Sequence, residues 1–123
     1  MNLIGLVAEQ VIMMHDDVIK PHELQGLAPD KSLVAAIDRI DKRIDYALIN
    51  DVYQLAACYA AFIAQAHAFN DANKRTAFAA MDSILALNQI DLVYDPKTAG
   101  DMIIKIVTGQ ADENDLAAWL RSQ

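Results

Sequence analysis

Residues 52–66 read VYQLAACYAAFIAQA. No position in this stretch carries a charge, and its only amide side chains are Gln54 and Gln65. The alanine and leucine content favours helix, and a helix that is apolar on every side belongs inside a domain rather than on its surface. Asn50 and Asp51 precede it and are residue types that cap a helix start. The segment is expected to be a central buried helix with the remaining chain wrapped around it. Cys58, Tyr59 and Phe62 lie within it and are read as core.

Outward from this helix, the flanking segments have the pattern of its shell. Apolar residues at 4, 7, 11, 14 and 18 recur with helical spacing across residues 3–19. Pro21, Gly26 and Pro29 mark residues 20–29 as a loop. Asp30 or Ser32 then caps a helix carrying Leu33, Ile37, Ile40, Ile44 and Leu48 on one side, with the solvated charge pattern DRIDKRID on the other. After the polar break at 67–72, a helix is predicted from about Asn73 to Asn88, with Asn88 at its C-cap. Residues 90–94 suit an extended connection or one small strand. Asp95-Pro96 starts a helix that runs to Val107 and stops near Gly109. Asp112 caps a last helix through Trp119 and Leu120. The expectation is an all-α fold: one compact domain over residues 1–123, with about six helices around a buried central one.

Composition agrees. The 123 residues are 54% hydrophobic and 22% charged, as in a globular chain, and the 21 alanines lean toward helix. A net charge of −7 excludes a broad electrostatic grip on nucleic acid, which needs a basic face. The lone Cys58 excludes an internal disulfide and a cysteine-rich zinc site. Charges interrupt every apolar run before membrane-spanning length, so no membrane partner is expected. MNLIGLVAEQ lacks the basic start of a secretory peptide, and the expected compartment is the cytoplasm.

One segment carries chemistry. Residues 67–76, HAFNDANKRT, place His67, Asp71, Asn73, Lys74 and Arg75 between the most apolar helix and the next amphipathic one. A helix that starts near Asn73 points free N–H groups into this loop and forms an anion site. Lys74 and Arg75 are unfavourable at a helix N-terminus unless an anion, such as a phosphate, also sits there. Asp71 suits Mg²⁺, which takes one carboxylate together with phosphates and waters. Arg75 suits a bidentate phosphate contact. His67 suits removal of a proton from a hydroxyl. Phe69 points inward and pins the loop. Together these describe nucleotide-dependent transfer to an alcohol. Each residue also has a plain reading: His67 as a surface or cap residue, Asp71 as an N-cap, Asn73 as a turn residue, Lys74 and Arg75 as a solvated pair. No GxxxxGK[ST] loop, GxGxxG or HExxH motif is present.

HAFNDANKRT resembles the signature loop of the Fic/Doc proteins, closest to the Doc (death-on-curing) branch. The general Fic signature is HPFxxGNGR; Doc-type loops keep the His, Phe, acidic residue, Asn and Arg but place Lys, here Lys74, where Fic proteins have the second Gly. MHDDVI at 14–19, Asp51, Tyr53 and Tyr59 ahead of the loop, and LAAWL at 116–120 extend the likeness over most of the chain. The resemblance implies the Fic/Doc helical fold and a catalytic set of His67 as general base, Asp71 as Mg²⁺ ligand, and Lys74 and Arg75 as phosphate clamps. Asn70, Ala72 and Asn73 complete the phosphate cradle with their backbone or side chains. With Lys74 filling the space of the glycine, the nucleotide lies reversed and presents its γ-phosphate. The implied activity is an ATP-dependent protein kinase that modifies a Thr hydroxyl of elongation factor Tu, arrests translation and acts as the toxin of a toxin–antitoxin pair. The alternatives are AMP transfer, as in Fic proteins, and a degenerate module that only binds a partner. Ala68 and Ala72 depart from the Fic pattern, where Pro and Gly are common. The self-inhibitory [ST]xxxE[GN] motif is absent. The resemblance therefore implies a separate, Phd-like antitoxin docking as an amphipathic helix, with Leu3, Leu6, Val7 or Tyr53 among its contacts. Roles for His15, Asp16 and Tyr53 at the site stay open.

Overall fold

A computed structural model describes residues 2–123. Six helices form in chain order: α1 (Ala8–Val18), α2 (Leu33–Asp45), α3 (Val52–Ala66), α4 (Asn73–Leu87), α5 (Pro96–Val107) and α6 (Glu113–Arg121). The described residues contain no strand, only one isolated antiparallel bridge between Leu27 and Phe69. The chain is all-α, and α3 is its axis. Every residue from Leu55 to Ala64 is buried. Around it pack α2, α4, α5 and α6, while α1 lies against α4. Alanine on so many faces of α3 lets several neighbours approach it at once, and Leu55, Tyr59 and Ile63 fill the space between them. Burial pushes the Cys58 thiol up to about 11, which fits a core residue rather than a nucleophile.

Local chemistry sets the boundaries. Ser32 Oγ accepts from the Ala35 N–H at 3.0 Å, so Ser32 and not Asp30 caps α2. Asp51 caps α3 through the Gln54 N–H at 2.8 Å. Asp95 caps α5 with Pro96 in its first turn, and Asp112 forms a capping box with Asp115 at α6. Three helices end in the same way, with a left-handed residue just past the C-cap: Ala47 (φ 55°), Gln89 (φ 63°) and Gly109 (φ 80°). The next N–H then reaches back across the last turn: Leu48 to Arg43 O, Ile90 to Leu85 O, Gln110 to Lys105 O. This turn corrects the reading of α2. The helix stops at Asp45, Leu48 is 61% exposed, and Ile49 enters the core in its place.

A second correction concerns the N-terminus, where the helical spacing extended to residue 3. The chain stays non-helical until Ala8 because two side chains act as a sheet partner would. The Asn88 amide accepts from Ile4 N–H at 2.8 Å and donates to Ile4 C=O at 2.9 Å. The Tyr59 hydroxyl accepts from Leu6 N–H at 2.8 Å and donates to Leu6 C=O at 3.0 Å. A Cβ on Gly5, between them, would lie 2.7 Å from the Tyr59 oxygen, so this close approach requires glycine. Residues 90–94 form the extended connection and not the strand.

Candidate active site

α3 ends at His67, which is left-handed (φ 48°, ψ 40°) and turns the chain out of the core. Five residues later Ala72 is also left-handed (φ 63°, ψ 28°) and turns it into α4. Between the two turns the loop is tied down from below. Ala68 C=O accepts from Ala28 N–H at 2.8 Å, and Asn70 N–H donates to Gly26 C=O at 3.0 Å. Phe69 is buried, and its ring stacks on His15 with centroids 3.9 Å apart and planes within 6°. His15 is itself buried at the end of α1 and bonds from Nε2 to the Asp71 carbonyl at 2.8 Å.

Above this floor lies a cleft of about 260 Å³. His67, Asn70, Asp71, Ala72, Asn73, Lys74 and Arg75 line it. The sequence-predicted residues therefore converge on one cavity, with Phe69 beneath it. No side chain caps α4. Its first backbone bond runs from Thr76 N–H to Ala72 C=O, and the N–H groups of Asn73, Lys74 and Arg75 have no acceptor among the described residues. Left-handed Ala72 followed by helical Asn73 aligns successive N–H groups into a concave anion-binding arrangement at the positive end of α4. Asp71 Oδ1 accepts from Ala72 N–H at 3.0 Å. His67 and Lys74 are exposed and make no side-chain hydrogen bond or ion pair among the described residues.

Three residues expected to contact phosphate with their side chains are engaged elsewhere. Asn73 Oδ1 accepts from Phe69 N–H at 3.1 Å and Nδ2 donates to Phe69 C=O at 2.9 Å, so the amide closes the loop, and its backbone N–H is the donor left without an acceptor among the described residues. Asn70 Nδ2 donates to Gln25 C=O at 2.9 Å and ties residues 20–29 to the loop. The Arg75 guanidinium pairs with Glu23 and donates to Val18 C=O at 2.8 Å. Arg75 lowers the Glu23 carboxyl below its ordinary value, first through their hydrogen bond, and Glu23 raises Arg75 in return. The expected bidentate phosphate contact has these two competitors.

The reading of residues 67–76 misses the residues that hold the loop from outside it: His15 and Glu23 through their side chains, Val18 through its carbonyl contact with Arg75, and Gln25, Gly26 and Ala28 through their backbone. His15 stood in the MHDDVI stretch without a role, and Glu23 lies in a loop with no motif. For metal binding, Asp71 is the carboxylate of the cleft. No group of three or more His, Cys, Asp or Glu side chains able to hold a metal occurs among the described residues. This donor set fits Mg²⁺ that arrives with phosphates and keeps its waters, and does not fit an all-protein cage.

The helical shell, the tied loop and the open N-terminus of α4 define a class of protein. The Fic/DOC family matches residues 6–85, and the chain belongs to that family. Within it, the chain is 32% identical over 114 residues to the Protein kinase doc of Escherichia phage P1, covering 92% of this chain and 90% of that protein. No helix among the described residues is long and apolar enough to cross a membrane.

Proposed function

We propose that the cleft transfers the γ-phosphate of ATP to a Ser/Thr-type hydroxyl on a protein. The carrying observation is Lys74: it stands at the uncapped start of α4, lines the cleft with His67 and Asp71, and has no counter-ion of its own. An unpaired ammonium beside three free N–H groups suits a polyphosphate better than a single phosphoryl group. The similarity to Protein kinase doc supports phosphoryl over AMP transfer.

His67, exposed and unbonded, is free to accept the proton of the incoming hydroxyl. That oxygen forms a bond to the γ-phosphorus as the bond from phosphorus to the β,γ-bridging oxygen breaks, and ADP carries away the electron pair. Lys74 and the α4 N–H groups offset the charge on the phosphate oxygens. Asp71 would hold Mg²⁺, which neutralises phosphate charge when bound. Asn73, Asn70 and Phe69 keep the loop in shape and touch no reacting atom. By family resemblance the acceptor is a Thr of elongation factor Tu, the outcome is arrested translation in the cytoplasm, and a Phd-like antitoxin restrains the protein. An apolar groove of about 420 Å³ between α1 and α4, lined by Leu6, Met13, Met14 and Leu87, supports a partner that docks as an amphipathic helix.

The test is incubation of the protein with elongation factor Tu and ATP labelled on either the α- or γ-phosphate. Label from the γ position alone is expected, with none for His67→Asn. Transfer of the α label would replace this reading with AMP transfer.

A further inference from the structure

We propose that His15 is a positioning residue of the cleft, whose imidazole sets the Asp71–Ala72 turn from behind. The inference rests on the reading of Asp71 as the carboxylate that meets a metal–nucleotide complex.

His15 is 1% exposed, and burial of an imidazole is unfavourable unless its nitrogens find partners. A leucine or phenylalanine would fill this space without that cost. The ring is instead used twice. Its face lies on Phe69 at 3.9 Å, and its Nε2 meets the Asp71 carbonyl at 2.8 Å. A carbonyl only accepts, so the proton of the ring must sit on Nε2. Nδ1 is 3.9 Å from the Asp16 carboxylate, too far for a hydrogen bond. The two uses act on successive parts of one turn. The stack fixes Phe69, to whose backbone Asn73 is bonded on both sides. The Nε2 bond fixes the peptide that joins Asp71 to left-handed Ala72. That peptide carries the N–H which Asp71 Oδ1 accepts, so its orientation sets the direction of the carboxylate. It also precedes the three free N–H groups of α4. The imidazole touches none of the reacting groups and acts through Asp71 and Phe69.

The arrangement separates two properties that a purely structural core residue would join. His15→Phe keeps an aromatic ring for the stack, in a somewhat larger side chain, and loses the bond to Asp71. His15→Gln keeps a donor near the Nε2 position and loses the ring. The full chain is titrated with MnADP, and binding is read by water-proton relaxation, alongside thermal melts. His15→Phe is expected to fold and to bind MnADP about tenfold more weakly or worse, the usual size of an effect from a group that orients a metal ligand. His15→Gln is expected to recover most of the binding while melting lower than the phenylalanine variant. Equal MnADP binding by His15→Phe and wild type overturns the proposal and leaves the phosphotransfer reading standing. Failure of wild type to bind MnADP removes the reading of Asp71 and this inference with it. A second measurement needs no variant: long-range ¹H–¹⁵N correlation of the wild-type imidazoles is expected to show His15 as the Nε2–H form, and an Nδ1–H form overturns the proposal.

Discussion

α3 and the loop that follows it are neighbours in sequence and opposites in construction. From Leu55 to Ala64 the helix is buried on all sides, and its backbone bonds run within the helix itself. The loop from His67 to Ala72 turns twice through left-handed backbone, at residues that are not glycine, and leads into a helix with no cap. Its shape is held from a distance by His15, Val18, Glu23, Gln25, Gly26 and Ala28. The groups that hold the loop face inward and have partners. The groups proposed to react, His67 and Lys74, face the cleft without any. The contrast teaches that stability in this chain comes from packing, whereas the proposed reactivity rests on a segment kept short of polar partners on one side. Left-handed alanine and an uncapped helix start are local costs that persist because the surroundings over-determine them.

The sharpest break in that contrast comes from the free groups. His67→Asn, chosen because asparagine tolerates left-handed backbone, is expected to lower phosphate transfer about 10²–10⁴-fold. Its unfolding free energy should stay within about 0.5 kcal/mol of wild type, because the side chain is exposed and unbonded. Radiolabel transfer and urea unfolding on one preparation check both halves. Asp71→Asn is expected to lose transfer to a similar degree.

In the core the effect should reverse. Leu55 is fully buried, and Leu55→Ala should cost about 2–5 kcal/mol of stability through lost contacts and a cavity. Transfer measured well below the melting temperature should change little. A large loss of activity in this folded variant would mean that the core shapes the site more directly than the contacts indicate.

Asn73 stands between the two behaviours. Asn73→Ala removes both bonds to the Phe69 backbone and is expected to cost about 1–3 kcal/mol. Hydrogen exchange should speed up first at the Phe69 amide, since that N–H loses its acceptor. Uniform exchange across the loop would argue against the clamp.

Ala72→Gly probes the backbone cost itself. Left-handed geometry penalises alanine by roughly 1–2 kcal/mol, and glycine loses part of that gain through its greater unfolded-state freedom. The net expectation is a stabilisation of less than about 1 kcal/mol with the cleft intact, measured by denaturant midpoint. Destabilisation would show that the Cβ of Ala72, a buried residue, contributes packing that outweighs its strain.

The smallest effect is expected from pH. Arg75 holds Glu23 below its ordinary carboxyl value of 4.5. A lowered carboxyl stabilises the fold fully above its unfolded value, and that contribution fades as pH falls through the folded one. Melting temperature should therefore drop between about pH 5 and pH 3, and the drop should be slightly shallower in Glu23→Gln. Identical profiles would show that this part-buried pair contributes nothing to stability, as many ion pairs near the surface do not.

Much of this was legible in the sequence for local reasons. Asp51, Asp95 and Asp112 start their helices because a short side-chain oxygen meets an N–H two or three residues on. The uncharged run at 52–66 has only one place to go, and α3 occupies those residues to the end. HAFNDANKRT brought its polar residues to one cleft because the turn and the first turn of α4 are short-range geometry. The reading fails where a partner far along the chain intervenes or where a left-handed turn cuts a helical stripe short. Residues 3–7 have helical spacing, yet Asn88 and Tyr59 hold them extended. Leu48 continues the apolar stripe of α2, yet the Ala47 turn sends it to solvent.

The amino-acid sequence by itself determined the helix inventory, the buried axis and the residues that gather at the start of α4, since these follow from periodicity, caps and spacing within a few residues. Only the tertiary structure decided which side chains of that cluster are free and which are spent. Asn73 and Asn70 could equally have faced phosphate, and Arg75 could have stood unpaired. Asn73 is fixed within the loop, by the Phe69 backbone four residues away, whereas Asn70 and Arg75 are fixed by the end of α1 and the loop after it, some 43 to 57 positions away along the chain. A hydrogen bond depends on distance in space, and no pattern within the loop encodes that neighbour.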